Sequence, residues 1–177
     1  MTNPAKAIRI GTMIKATEGG AAERIAKIAD MGFESFEPFF WQSTRGQDLA
    51  ELGKRCREAI GDRDITISTL GMFGNPLETT DIDRDTLQGW KDCIDNAHHF
   101  GATCVAGFTG RIRNKPLTDS LPRYREIVAT LQASAPTEEV ERAIWFSGWA
   151  SGMYNNGAHW AYNEVPVVLA PPSAWGR

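Results

Sequence analysis

The junction that decides the fold lies in residues 87–108, which read LQGWKDCIDNAHHFGATCVAGF. Apolar residues recur at helical spacing from Leu87 to Ala97, and a glycine follows Phe100 at position 101. Residues 103–108 are a short apolar run typical of a buried strand. This stretch therefore predicts a helix, a glycine turn and a strand in direct succession.

A glycine also follows an apolar residue at two earlier predicted helix ends, Met31-Gly32-Phe33 and Ile60-Gly61-Asp62. Strands are predicted at residues 8–14, 33–40, 65–70 and 103–108, with helices between them and a fourth helix around Pro122. Repeated β-then-α units of this length require right-handed crossovers and a parallel sheet. The long loops follow the strands, as in a (β/α) barrel. A doubly wound open sheet has the same alternation, so the pattern alone leaves both architectures open.

The regular pattern of apolar residues that predicts strands and helices weakens near residue 129. We assign residues 1–128 to the N-terminal part of a barrel domain and residues 129–177 to a divergent tail. Residues 144–146 form a fifth strand candidate, and no helical periodicity follows. Since a complete barrel needs about 250 residues, we expect an incomplete TIM-type barrel of four to five β/α units. A truncated or frameshifted coding sequence is one hypothesis for the irregular tail.

Charge and cysteine content restrict the class of protein. Nineteen basic and 22 acidic residues give a net charge of −3, which disfavours nucleic acid as the main partner. The three cysteines are an odd number without CxxC spacing, which indicates a reducing compartment. The first residues do not resemble a signal peptide, and no apolar run is long enough to cross a bilayer. We therefore expect a cytoplasmic protein without a membrane partner.

Three loop segments resemble one known family in the same order along the chain. They read FEPFFW at 36–41, TLGMFGNPLE at 69–78 and GATCVAGFTGR at 101–111, and KPLTDSLPRY at 115–124 continues the match. These segments resemble the xylose isomerase-like TIM barrels, in the branch of sugar-phosphate isomerases and epimerases. The resemblance covers about the first two thirds of the chain.

The resemblance implies an enzyme that isomerises or epimerises sugars, sugar phosphates or small hydroxy-acids such as hydroxypyruvate. It also implies a divalent metal, Mn²⁺, Mg²⁺ or Co²⁺, held by two glutamates, an aspartate and a histidine from the later strands. In this sequence Ser147 follows the fifth strand where the family has a glutamate. Retention of the metal and activity of this chain therefore stay open.

Glu37 is the candidate catalytic residue, predicted at the end of the second strand. Its carboxylate would accept hydrogen bonds from substrate hydroxyls or move a proton; the alternative is a capping or salt-bridged glutamate. The candidate substrate-binding residues just after the strands are apolar, and they either form a wall against a sugar or close the top of the barrel: Trp41, Met72, Phe73 and Phe108.

Arg111 is a further candidate substrate-binding residue, because an arginine after the fourth strand would hold a phosphate or carboxylate bidentately. The alternative is a solvated loop, shared with Arg113 and Lys115. The three histidines are not assigned as metal ligands. His98 and His99 fall at a helix C-terminus, where imidazolium is favoured, and His159 has no carboxylate at suitable spacing.

Two other functions compete with the isomerase. The abasic-site endonucleases of the same superfamily need to grip DNA, which fits poorly with the net charge of −3. A non-catalytic partial barrel could instead pair its open sheet edge with a second copy, forming a homo-oligomer, or with another subunit. Metal binding with turnover would separate the enzyme from this binding module.

Overall fold

A computed structural model describes residues 9–134, 144–147 and 167–168 of the chain. Strands and helices alternate along it. The strands are β1 (Gly11–Lys15), β2 (Ser35–Trp41), β3 (Thr66–Ile67), β4 (Leu70–Phe73), β5 (Val105–Phe108), β6 (Ile144–Ser147) and β7 (Val167–Val168). The helices are α1 (Ala21–Ile28), α2 (Leu49–Ile60), α3 (Asp81–Phe100) and α4 (Leu117–Ser134).

The sheet is parallel and singly wound. Its order is β1-β2-β4-β5-β6-β7, with β3 also paired to β2, and only β7 runs antiparallel to its neighbour among the described strands. The parallel strands follow chain order without reversal, whereas a doubly wound sheet reverses direction at a switch point. The alternative that the sequence left open is therefore decided in favour of barrel-type winding.

The third predicted strand differs from the observed one. It is interrupted after Ile67 and continues as β4 through Phe73, where the sequence pattern predicted a glycine-rich loop. The backbone changes partners at this point: the Ser68 amide donates to the Phe36 carbonyl, and the Leu70 amide donates to the Cys104 carbonyl. Hydrogen bonding to the next strand therefore extends β4 beyond the residues that have strand propensity.

The main core lies between the sheet and its helices. Phe36 and Phe40 of β2, Leu70 of β4 and Trp90 of α3 have no exposed surface. Helix α3 begins at a capping box in which the side chains of the N-cap threonine and the third helical residue bond each other's backbone amides. The helices of the described chain cover one face of the sheet, and the opposite face is its inner surface.

Several predictions concern residues of the tail. Helix α4 runs through the proposed boundary at residue 128 and ends at Ser134, and residues 144–147 form a strand as predicted. The remaining tail, with His159 and the proposed frameshift junction, lies outside the described residues. No helix in the described ranges has the length and apolar character needed to cross a bilayer.

Gly107 provides a test of the packing between sheet and helix. A Cβ at this position would overlap the Met72 carbonyl oxygen and lie 2.6 Å from Cζ2 of Trp90. We expect Gly107→Ala to lower the free energy of unfolding by about 2 kcal/mol or more, measured by chemical denaturation. Gly20→Ala is the matched control, since its Cβ would meet only Arg24 at 4.0 Å. Equal stability of the two variants would contradict the packing described.

Candidate active site

The pairing register gathers alternate side chains of neighbouring strands on the inner face. Phe39 pairs with Gly71, and Trp41 pairs with Phe73. In-register neighbours of a parallel sheet point to the same face, and side chains alternate along each strand. Glu37 therefore shares the inner face with Phe39 and Trp41, while the residues between them are buried on the helix side.

Four aromatic residues of the inner face form a continuous cluster, which we call the aromatic wall: Phe39, Trp41, Phe73 and Phe108. The rings of Phe73 and Phe108 stack with centroids 4.7 Å apart, and Phe39 lies 5.2 Å from Phe73. Trp41 meets Phe108 edge to face at 6.5 Å. The structure thus brings together three of the predicted substrate-binding residues.

Phe39 is a member of the wall that the sequence analysis missed. It lies two residues from both Glu37 and Trp41, so counting at the period of two along β2 would have placed all three on one face. The sequence pattern by itself assigns Phe39 only to the second strand. The sequence pattern assigns Gly71 to a loop, whereas β4 extends through it.

Met72 does not join the wall. It has no exposed surface and belongs to the core on the helix side. A Cβ on Gly89 of α3 would lie 2.6 Å from the Met72 sulfur, so this side chain fills the space beside the helix. Alternation along β4 separates Met72 from its neighbours on the inner face.

Glu37 occupies a deeper position than the sequence predicted. It is the third residue of β2 and not the last, because the strand continues to Trp41. A Cβ on Gly71 would lie 2.8 Å from a Glu37 carboxylate oxygen and 2.7 Å from Cβ of Phe39. The absence of a side chain at position 71 therefore leaves room for the carboxyl group beside the wall.

The Glu37 carboxylate is partly buried and has no hydrogen bond or ion pair with any residue in the described ranges. Burial removes water from the charged form, and this desolvation raises the pKa of Glu37 above its ordinary value of 4.5. The alternative of a capping or salt-bridged glutamate has no support in these contacts. A partly desolvated carboxyl group with a raised pKa suits proton transfer.

Arg111 lies on the loop after β5, and neighbouring residues hold its backbone in place. Its carbonyl accepts a hydrogen bond of 2.8 Å from the Asn75 amide, and the next amide, of Ile112, donates to Ser120. The Arg111 guanidinium donates to the Lys115 carbonyl, and its buried Nε has no hydrogen-bond partner among the residues that the structure describes. Within the described residues, no carboxylate pairs with Arg111.

The charge of Arg113, in contrast, is neutralised. Its guanidinium lies 2.5 Å from a carboxylate oxygen of Glu78 and 3.2 Å from one of Asp83. Its backbone amide also donates to Glu78 at 2.7 Å. Because Glu78 and Asp83 belong to the β4–α3 connection and α3, this contact joins two loops at the carboxyl edge of the sheet.

The described residues do not fit a metal centre. They contain no group of three or more histidine, cysteine, aspartate or glutamate side chains arranged to hold an ion. The rings of His98 and His99 lie 3.9 Å apart at the C-terminal end of α3, away from the aromatic wall.

Comparisons with known proteins agree with the fold. A family model described as "Xylose isomerase-like TIM barrel" matches residues 25–144, more than half of the chain. No match was found among curated proteins. Solved structures similar to this chain include the 3-keto-D-glucoside 4-epimerase of E. coli, with a TM-score of 0.55, 16% identity, and coverage of 78% of this chain and 56% of that one.

Two further similar structures are sugar epimerases. An L-ribulose 3-epimerase has a TM-score of 0.53, 19% identity, and coverage of 78% of this chain and 49% of that one. The D-psicose 3-epimerase of Clostridium cellulolyticum H10, solved with D-tagatose, has a TM-score of 0.53, 16% identity, and coverage of 77% and 52%. The chain thus spans about half the length of these structures, and at such identities the likeness shows the fold.

The raised pKa of Glu37 predicts a pH-dependent effect on stability. The folded protein binds this proton more tightly than the unfolded chain, so the stabilisation by protonated Glu37 is lost as the pH rises through the raised pKa. Replacing Glu37 by Gln removes this loss. We therefore expect the unfolding free energy of Glu37→Gln to increase relative to the parent protein as the pH rises from about 4 to about 8.

Urea denaturation across this pH range measures the difference. Glu58→Gln is the matched control, since it removes one carboxylate from a side chain on α2 that is 63% exposed. A difference between Glu37→Gln and parent that stays constant with pH would contradict a desolvated Glu37.

Proposed function

This chain belongs to the xylose isomerase-like TIM barrel family, and we propose that its inner sheet face contributes to the active site of a sugar isomerase or epimerase. Glu37 beside the aromatic wall is the observation that supports this function most. A carboxyl group that has no partner in the described part of the chain is available to a substrate, and its burial raises its pKa. The sugar epimerases similar in fold agree with this substrate class.

The aromatic wall suits the apolar face of a sugar ring or chain. Binding sites for small molecules are commonly lined by aromatic side chains with a few polar groups that fix the orientation. The stacked pair Phe73 and Phe108, with Trp41 at its edge, would contact the C–H groups of the sugar. Its hydroxyl groups would then face the carboxyl group of Glu37.

Glu37 would act as the acid–base group. It removes the proton from the carbon next to the substrate carbonyl, and the electron pair of the C–H bond moves into an enediolate. Return of that proton to the former carbonyl carbon on the same face, with transfer of the hydroxyl proton of the first carbon to the oxygen of the former carbonyl, gives the isomer. Epimerisation requires a proton from the opposite face, and on the inner face of β1, β2, β4 and β5 Glu37 is the only carboxyl group.

Arg111 is proposed as an additional substrate contact. Its side chain has no carboxylate partner among the described residues, whereas Arg113 is neutralised by Glu78 and Asp83. A phosphate or carboxylate on the substrate would therefore find its cation at Arg111. A divalent metal remains a proposal at family level, for which the described residues offer no cluster of three or more histidine, cysteine, aspartate or glutamate side chains.

Deuterium exchange tests the role of Glu37. The full chain would be incubated with D-tagatose, D-psicose or L-ribulose in D₂O, and ¹H NMR would follow loss of the proton next to the carbonyl. We expect the parent protein to exchange this proton, and we expect the exchange rate of Glu37→Gln to be at least about 100-fold lower. Glu58→Gln should exchange at the parent rate. Binding of a ketose by a parent protein that exchanges no proton would favour the non-catalytic binding module.

The aromatic wall gives a separate prediction for affinity. Phe73→Leu keeps an apolar side chain but removes the ring between Phe39 and Phe108. We expect about fivefold weaker binding of D-tagatose by titration calorimetry, from the loss of aromatic contacts. Phe33→Leu is the control, because this ring lies beside Phe36 on the other side of β2. Equal affinities of the parent and Phe73→Leu for D-tagatose would contradict a role of the aromatic wall in sugar binding.

A further inference from the structure

The residue after β2 has an unusual backbone conformation. Gln42 has a φ of 62°, in the left-handed region that favours glycine. Such a conformation in a non-glycine residue costs free energy and persists where the surrounding structure holds it. The Gln42 amide donates to the Phe73 carbonyl at 2.7 Å, which ties it to the end of β4. Because Gln42 directly follows Trp41, its conformation determines the direction of the backbone just after the aromatic wall.

Helix α3 holds the loop that begins at Gln42. Three of its side chains contact successive parts of this loop, and we call them the α3 clasp: Asp85, Thr86 and Asp92. The Thr86 hydroxyl lies 3.1 Å from the Gln42 carbonyl oxygen, and the Thr44 hydroxyl lies 2.5 Å from a carboxylate oxygen of Asp92. Asp85 forms an ion pair of 2.5 Å with Arg45.

Thr86 is the member of the clasp that contacts the residues directly after β2 and β4. It has no exposed surface, and a Cβ on Gly74 would overlap its hydroxyl group. Thr86 therefore fills the space between the ends of β2 and β4. Its single hydroxyl proton has two acceptors within reach, the Gln42 carbonyl and, at 3.0 Å, the Ile82 carbonyl of its own helix.

We propose that Thr86 is a positioning residue for the sugar-binding wall. Its hydroxyl donates to the Gln42 carbonyl, holds Gln42 in the left-handed conformation and so fixes the Trp41 ring against Phe108. The Ile82 carbonyl does not need this proton, because it can accept the helical amide four residues later. This role rests on the proposed sugar binding by the wall.

A matched pair of variants isolates the hydroxyl group. Thr86→Val keeps the shape of the side chain and removes the donor, whereas Thr86→Ser keeps the donor and removes a methyl group. In the ligand-free protein, we expect the Gln42 carbonyl carbon and Trp41 indole resonances to shift in Thr86→Val and to stay near their parent positions in Thr86→Ser. We also expect D-tagatose to bind about fivefold more weakly to Thr86→Val, as for a lost buried hydrogen bond.

A second background keeps the test independent of folding defects. Gln42→Gly adopts a positive φ without support, so adding Thr86→Val to Gln42→Gly should weaken binding much less than Thr86→Val does in the parent. An equal loss in both backgrounds, or unchanged Gln42 and Trp41 resonances in Thr86→Val, would overturn the positioning role. If the parent binds no ketose, the proposed function fails, and the ligand-free resonances alone decide the role of Thr86.

Discussion

In-register parallel pairing of β2 with β1 and β4 fixes where the inner-face side chains lie. Because the register aligns Trp41 with Phe73 and Phe39 with Gly71, the aromatic wall and the Glu37 carboxyl group face the same side of the sheet. A shift of one residue in this pairing would turn Glu37 toward the helices and expose the buried Phe36. Burial of the apolar residues on the helix side therefore determines the register, and the register determines the composition of the inner face.

Arg113 and Glu37 differ in whether residues of opposite charge accompany them. Arg113 is surrounded by Glu78 and Asp83, so its charge serves to join the β4–α3 and β5–α4 connections. Glu37, in contrast, has no partner in the described residues, and burial raises its pKa. A desolvated group without a partner costs stability, which is consistent with a group that is reserved for a substrate.

Family membership and site geometry contribute different parts of the functional argument. The family model identifies a xylose isomerase-like TIM barrel, and the similar epimerase structures share its fold over about half of their length. The sugar substrate and the proton transfer are inferred from Glu37 and the wall. The α3 clasp adds a second layer, in which a helix outside the wall controls the geometry of Trp41.

The sequence by itself determined the order of strands and helices and the parallel sheet, because the glycines at helix ends and the apolar periodicity are local signals. The family followed from the resemblance of the segments at 36–41, 69–78 and 101–111. It also singled out Glu37, Trp41, Phe73 and Phe108, since aromatic and acidic residues near strand ends are visible without a structure. Only the tertiary structure decided which of the candidates meet. It joined Phe39 to the wall, buried Met72 in the core, and separated Arg111 from the neutralised Arg113. These outcomes depend on strand register and on contacts between residues 30 or more positions apart, such as Arg113 with Asp83, which local patterns do not encode.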